Sequence, residues 1–184
     1  MPESITTLMG HLREDHRNMA KLLDLLDRES EKLHAEMDAD LELMHDILRY
    51  MTIYPDVVHH PNEDKVFAEL RAARPDLATG MHRVMKDHRE IEQLGRQLRD
   101  LVARADSGEP VRRVELVAAA SRYIDVLRAH MNWEESDLFR RVDRMVADGH
   151  DQIERAQLVN MRDPVFSREC DAQFLGLVES LSKL

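Results

Sequence analysis

The chain has 184 residues, enough for one domain that buries about two thirds of its surface, so it needs no disulfide or metal merely to hold it together. Aromatic residues make up 4% and charged residues 34%, with six glycines and six prolines, and this balance favours helix throughout. A net charge of −10 argues against nucleic-acid and anionic-membrane partners, because both require a basic face. With one cysteine, no signal-like N-terminus and no apolar run near the roughly 18 residues of a membrane span, we expect a cytoplasmic protein.

The first predicted helix begins at Ser4. Its apolar residues recur at steps of three and four, which is the stripe of a bundle helix, and His16 lies within that stripe. The acidic residues Asp38 and Asp40 follow, and they can cap a second helix.

Helix two carries two polar residues where apolar core residues are expected. His59 and Glu63 continue its apolar stripe at a spacing of one turn. Pro55 and Pro61 interrupt the helix, since Pro61 cannot donate a backbone hydrogen bond. We therefore expect a kink or a short break beside this pair.

Helix three repeats the pattern. The segment Arg-Pro-Asp at 74–76 predicts the end of helix two and the start of helix three. His88 and Glu92 again interrupt the apolar stripe one turn apart. The sequence DSGEP at 106–110 is typical of a turn and ends this helix.

Helix four carries His130 and Glu134 in its stripe and is predicted to end near Gly149. Together the four segments predict an all-α protein, an antiparallel up-down-up-down four-helix bundle over residues 1–148. Residues 149–184 have a weaker apolar pattern and are predicted to form a helical extension packed on the bundle.

An internal repeat relates the two halves of the chain. EDHRNMAKL around His16 aligns with KDHREIEQL around His88, 72 residues later. HHPNED, which begins at His59, aligns with HMNWEE, which begins at His130, 71 residues later. In an up-down-up-down bundle these motifs lie roughly 18–22 Å from the same end, so their side chains converge at one level of the core.

A cation explains this convergence, because buried carboxylates without partners cost several kcal/mol each and repel one another. Histidines and carboxylates without cysteine suit iron, manganese or zinc, and six or seven ligands exceed the four that a tetrahedral zinc takes. We therefore expect two ions, with di-iron the leading candidate, Glu63 and Glu134 bridging and the histidines terminal. The predicted ligands are His16, His59, Glu63, His88, Glu92, His130 and Glu134. His60, spaced from Asp64 in the same way, is the alternative to His59.

In combination these motifs resemble the hemerythrin-like, HHE cation-binding family. The matching segments are the two D-H-R motifs, HHPNED with the trailing Phe67, and HMNWEESDLF, which together span about residues 8–145. The resemblance implies an antiparallel four-helix bundle around a non-haem, oxo- or hydroxo-bridged di-iron centre. It also implies the terminal role of the four histidines and the bridging role of Glu63 and Glu134. The chain departs from the family at Glu92, where oxygen-carrying hemerythrins have a second histidine.

This departure bears on function. A metal-bound Glu92 adds negative charge and stabilises oxidised metals, which favours redox turnover or sensing over reversible oxygen carriage. If Glu92 does not reach the metal, a position stays open for oxygen, peroxide or nitric oxide. The first hypothesis is a protein that binds oxygen or a related small ligand for sensing, storage or scavenging. The second is an oxidoreductase acting on peroxide, ferrous iron or nitric oxide, and the third is a structural bundle holding zinc or another cation.

Overall fold

The structure is a computed structural model that describes residues 2–183, and it is mostly helical, as the composition predicts. The helices are α1 (Ile5–His34), α2 (Leu41–Met51), α3 (His60–Ala73), α4 (Val84–Asp106), α5 (Arg113–Trp133), α6 (Phe139–Ala147) and α7 (Leu175–Leu181). Two π-helical turns precede α3 and α6, at Pro55–His59 and Glu134–Leu138, and two short strands are β1 (Pro2–Ser4) and β2 (Gln152–Glu154). None of the helices within residues 2–183 is long and apolar enough to cross a lipid bilayer.

The predicted starts of the first two helices are confirmed by their caps. The Ser4 hydroxyl accepts a hydrogen bond from the backbone N–H of Thr7 at 3.3 Å, at the start of α1. The Asp40 carboxylate accepts one from the backbone N–H of Leu43 at 2.9 Å, at the start of α2. In both cases a short polar side chain satisfies an N–H that has no partner inside the helix.

The predicted break in helix two is also present. Helix α2 ends at Met51, and the chain resumes as a π-helical turn in which the backbone N–H of His60 donates to the carbonyl of Pro55. Pro61 begins the next turn without an N–H, so the α-helical hydrogen-bond ladder cannot run through this point. The wider π-helical turn connects the segment after α2 to the start of α3.

The predicted start of helix three is wrong. Helix α4 begins at Val84, and residues 75–83 instead contain two 3₁₀ turns, Pro75–Leu77 and Met81–Arg83. Gly80 lies between these turns with a φ of 82°, a left-handed conformation that a continuous right-handed helix cannot contain. The glycine therefore separates the turn after α3 from α4.

The segment after α6 combines a strand with short helices, where the sequence predicts helix alone. Residues Gln152–Glu154 pair antiparallel with Pro2–Ser4. The carboxylate of Asp151 accepts hydrogen bonds from the Ser4 hydroxyl at 2.9 Å and from the backbone N–H of Thr6 at 2.8 Å. Farther on, α7 packs against α2. The division into residues 1–148 and 149–184 as separate units stays a prediction.

The core consists of two apolar clusters with buried polar side chains between them. Along α1, Leu12 belongs to one cluster and Met19 to the other. Along α4, Val84 belongs to the first and Ile91 to the second. Helix α1 packs against α5, α4 packs against both α2 and α5, and α3 packs against α6. These contacts bring the polar positions of different helices to one place.

Candidate metal centre

Six of the seven predicted ligands are buried together between the two apolar clusters. We call them the His/Glu cluster: His16, His59, Glu63, His88, His130 and Glu134. The two histidines of the D-H-R motifs come from α1 and α4. The other four lie at the junctions of the π-helical turns with α3 and α5. Both carboxylates are 0% exposed, so neither has water to stabilise its charge.

Glu63 faces histidines from three helical segments. Its Oε1 atom lies 3.6 Å from Nε2 of His16 and 3.4 Å from Nε2 of His59. Its Oε2 atom lies 3.6 Å from Nε2 of His88. The two oxygens of this carboxylate therefore point toward histidines of different halves of the repeat.

Glu134 is placed in the same way from the other side. Its Oε2 atom lies 3.5 Å from Nε2 of His16 and 3.1 Å from Nε2 of His130. Its Oε1 atom lies 3.6 Å from Nε2 of His88. Both carboxylates thus lie between the two D-H-R histidines.

The inward-facing donor atoms of the cluster lack hydrogen-bond partners. Within residues 2–183, Nε2 of all four histidines and all four oxygens of the two glutamates are buried and unpartnered. Such atoms cost on the order of 1–3 kcal/mol each unless something satisfies them. Metal bonds of about 2.0–2.2 Å place neighbouring ligands of an octahedral ion about 3 Å apart. The separations of 3.1–3.6 Å between these nitrogens and oxygens fit a metal in that geometry.

Carboxylates behind the cluster orient two of its histidines. Nδ1 of His16 lies 3.1 Å from Oε1 of Glu135, and Nδ1 of His59 lies 3.1 Å from Oδ2 of Asp15. Each carboxylate accepts a hydrogen bond from Nδ1–H, which leaves the lone pair of the neutral imidazole on Nε2, facing the interior. This is the arrangement that holds histidine ligands in metal sites.

The pKa values of two cluster residues are shifted by burial and by the charge of Glu63. Burial and the charge of Glu63 raise the pKa of Glu134 to about 8. Burial lowers the pKa of His59, but the charge of Glu63 and the hydrogen bond to Asp15 outweigh it and raise that pKa to about 10. Without a cation, Glu134 and His59 therefore both favour their protonated forms near neutral pH.

Glu92 lies outside the cluster. Its side chain is 36% exposed, and its Oε1 atom pairs with Nη1 of Arg96 at 2.8 Å. The buried face of α4 passes through His88, Ile91 and Gly95, which leaves Glu92 on the rim of that face. The geometry gives no support to Glu92 as a ligand.

His60 is buried beside the cluster, of which His59 is a member, so burial alone does not choose between the two histidines. It is 6% exposed, and ring nitrogens of His60, His88 and His130 lie within 4.8 Å of one another. Asp64, its suggested partner at one-turn spacing, instead has its Oδ1 atom 3.4 Å from Nδ1 of His88. Sequence reasoning weighed the two adjacent histidines against each other and missed that both can be buried here.

A small cavity reaches one histidine of the cluster, His88. This cavity of about 180 Å³ opens between α3 and α4 and is lined by His60, His88 and the polar residues Asp56, Asp64, Arg89 and Glu92, among others. A larger cavity of about 600 Å³ lies between α1 and the segment after β2. It reaches the outer side of the site at Asp15 and Asn62. The smaller opening is thus the more direct path from the surface to the cluster.

Comparison with known protein families gives one match. The family model described as hemerythrin HHE cation binding domain matches residues 7–142 and, in an overlapping range, residues 79–170. Each range begins shortly before a D-H-R motif, at His16 and at His88. No curated protein and no solved structure matches the chain.

Proposed function

Because the chain belongs to the hemerythrin HHE cation binding family, we propose that its His/Glu cluster binds two non-haem iron ions, at which the protein binds oxygen or a related small ligand for sensing, storage or scavenging. The observation that carries the proposal is the set of buried donor atoms without hydrogen-bond partners, all directed at one region of the core. Four imidazoles and two carboxylates are donors that iron accepts.

The proposed ligand arrangement follows the way the donors group. Ring nitrogens of His16 and His59 lie with one oxygen of Glu63, and those of His88 and His130 lie with both glutamates. In the proposal the first pair of histidines would hold one ion, the second pair would hold the other, and Glu63 and Glu134 would supply carboxylate oxygens to both. Fewer than six protein ligands then bind each ion, so a small ligand has a position to occupy.

We also propose that the helices form the antiparallel four-helix bundle of this family. Helix two of the bundle consists of α2, the first π-helical turn and α3, and helix four consists of α5, the second π-helical turn and α6. The packing of α1 on α5, α4 on α5 and α2 on α4 supports this arrangement. So does the meeting of donors from all four segments at one level.

The size of the opening supports a small ligand. A cavity of about 180 Å³ at His88 accommodates a few water-sized molecules, since each takes about 30 Å³. Oxygen, nitric oxide and peroxide are of that size. Iron bound at the cluster would supply the redox chemistry for such a ligand, while Glu135 and Asp15 hold the imidazoles of His16 and His59 in place.

A metal-bound Glu92 was one argument for redox turnover or sensing over reversible oxygen carriage. Because Glu92 pairs with Arg96 at the surface, its charge does not support turnover here. Zinc or manganese also accepts these donors, so the proposal requires a direct test of the metal and its chemistry.

The test begins with metal-free protein loaded with ferrous iron in the absence of oxygen. We expect an absorption band to appear on addition of oxygen and to disappear when the oxygen is removed, because the ligand binds reversibly. The matched control is Glu63→Ala, which should fail to retain iron and show no band. Rapid irreversible oxidation of the loaded protein would favour the enzyme instead, and retention of one zinc with no uptake of iron would exclude both iron functions.

A further inference from the structure

We propose that His60 is a metal ligand that completes a three-histidine position with His88 and His130, while His16 and His59 serve the other ion. The inference rests on the two-ion proposal above and adds a seventh ligand to it. A ring nitrogen of His60 lies within 4.8 Å of ring nitrogens of both His88 and His130. The His60 ring also stacks on that of His88 at 4.3 Å between centroids.

The local helix geometry explains how two consecutive histidines reach one centre. Residues three and four positions apart lie on the same helix face, so Glu63 has His60 and His59 as neighbours on either side of it. In a regular α-helix the two histidines point about 100° apart. The π-helical turn that ends at His59 is wider than an α turn and gives both side chains buried positions, at 1% and 6% exposure. The two histidines can therefore bind different ions on either side of the carboxylate.

A second observation points the same way and concerns the outer ring nitrogens. His60 has a carboxylate at Nδ1, with Oδ1 of Asp56 at 3.4 Å. His88 has the same arrangement with Oδ1 of Asp64, also at 3.4 Å. Nδ1 of His16 lies 3.1 Å from Oε1 of Glu135, and Nδ1 of His59 lies 3.1 Å from Oδ2 of Asp15. His60 thus shares with three cluster histidines the placement that directs Nε2 of a ligand toward a metal.

The carboxylate of Asp56 has a buried oxygen that a proton on Nδ1 of His60 could satisfy. Its Oδ1 atom is buried and, within residues 2–183, makes no hydrogen bond. A metal at Nε2 of His60 fixes the proton on Nδ1, and that N–H then donates to Asp56. Metal binding therefore also satisfies this carboxylate oxygen.

The test is a titration of metal-free protein with Co²⁺, followed by visible absorption and by competition with a chelator. We expect wild type to bind two equivalents. We expect His60→Ala to bind one equivalent with wild-type affinity and the second at least about tenfold more weakly. Imidazole added to His60→Ala should restore much of the second affinity, because it fills the space left by the ring. The matched control is His82→Ala, since His82 is exposed on the turn before α4.

The possible outcomes separate this inference from the proposal beneath it. Two equivalents bound by His60→Ala with unchanged affinity and absorption would overturn the ligand role of His60 and leave the two-ion centre intact. If His60→Ala stays helical but binds neither equivalent, the ligand role of His60 at a single ion would also be overturned, because His60 would then support the whole site. Failure of wild type to bind two equivalents would instead overturn the proposed centre. If His60→Ala does not fold, His60→Gln, which keeps more of the volume, gives the same readouts.

Discussion

Replacing Glu134 with glutamine should stabilise the metal-free protein while removing its capacity to hold metal. Glu134 is fully buried beside Glu63, and burial together with the charge of Glu63 raises its pKa to about 8. The uncharged carboxyl is therefore the form that the metal-free fold prefers. Glutamine has nearly the same shape and carries no charge at any pH.

The pH dependence follows from the direction of this shift. A carboxyl whose pKa is higher in the folded than in the unfolded state contributes full stability below the unfolded value of 4.5, and loses it as the pH rises toward about 8. At about 1.4 kcal/mol per pKa unit, the shift from 4.5 to about 8 makes the charged form cost the folded state about 5 kcal/mol above pH 8. Glu134→Gln should recover most of that free energy at about pH 8.5 and less than about 1 kcal/mol at about pH 5.

The assay is urea unfolding of chelator-treated protein, followed by helical circular dichroism at both pH values. Glu31→Gln is the control, because Glu31 is an exposed acid of α1. Equal stability of Glu134→Gln and wild type at about pH 8.5 would refute the reasoning. So would a gain of the same size at both pH values, because a gain that comes from removing the charge must grow with pH.

Three further predictions concern residues outside the cluster, one of them with a matched glycine control. Asp15→Asn should weaken metal binding about 10- to 100-fold in chelator competition, because Asp15 orients His59; unchanged affinity would contradict that role. Gly95→Ala should lower the free energy of unfolding by about 1–3 kcal/mol, because the added Cβ would lie 3.1 Å from the Tyr123 ring. Gly10→Ala is the control, because a Cβ at Gly10 would have nothing within 4 Å, and it should raise the free energy of unfolding by about 0.5–1 kcal/mol. Asn62→Ala should cost about 1–3 kcal/mol and speed proteolysis after β2, because the Asn62 amide bonds both backbone groups of Val159; an unchanged digestion rate would contradict this.

The depth of the polar residues along the bundle could be predicted from the sequence. Each residue of a helix adds about 1.5 Å, so counting from the ends places His16, His88 and the two H-x-x-x-E pairs at similar heights. The internal repeat supports the same conclusion independently of any geometry. The structure brings these residues together, while their role as metal ligands stays a prediction.

The rotation of each helix about its axis could not be predicted in the same way. His88 and Glu92 differ by only about 40° around α4, and which of them faces inward depends on how the helix packs. The sequence also placed the start of this helix too early, because it does not reveal the left-handed conformation of Gly80. The burial of both His59 and His60 could not be predicted either, because the sequence does not show the π-helical turn that precedes His60.

Contacts between the N-terminal residues and the segment after α6 could not be predicted from the sequence either. Asp151 joins Ser4 and Thr6 across nearly the whole sequence, and the strands beside it are three residues each. Neither a periodic pattern nor a turn motif is expected from so short a pair. These contacts depend on how the helices between the two segments pack, which the sequence pattern does not give.

The most direct test of the central claim is the metal content of the protein after anaerobic loading with ferrous iron and removal of unbound metal. We expect about two irons per chain for wild type, and a loss of bound iron in Glu63→Ala, with retained helical content. One iron or none in wild type would contradict the claim, and so would two irons retained after the loss of Glu63.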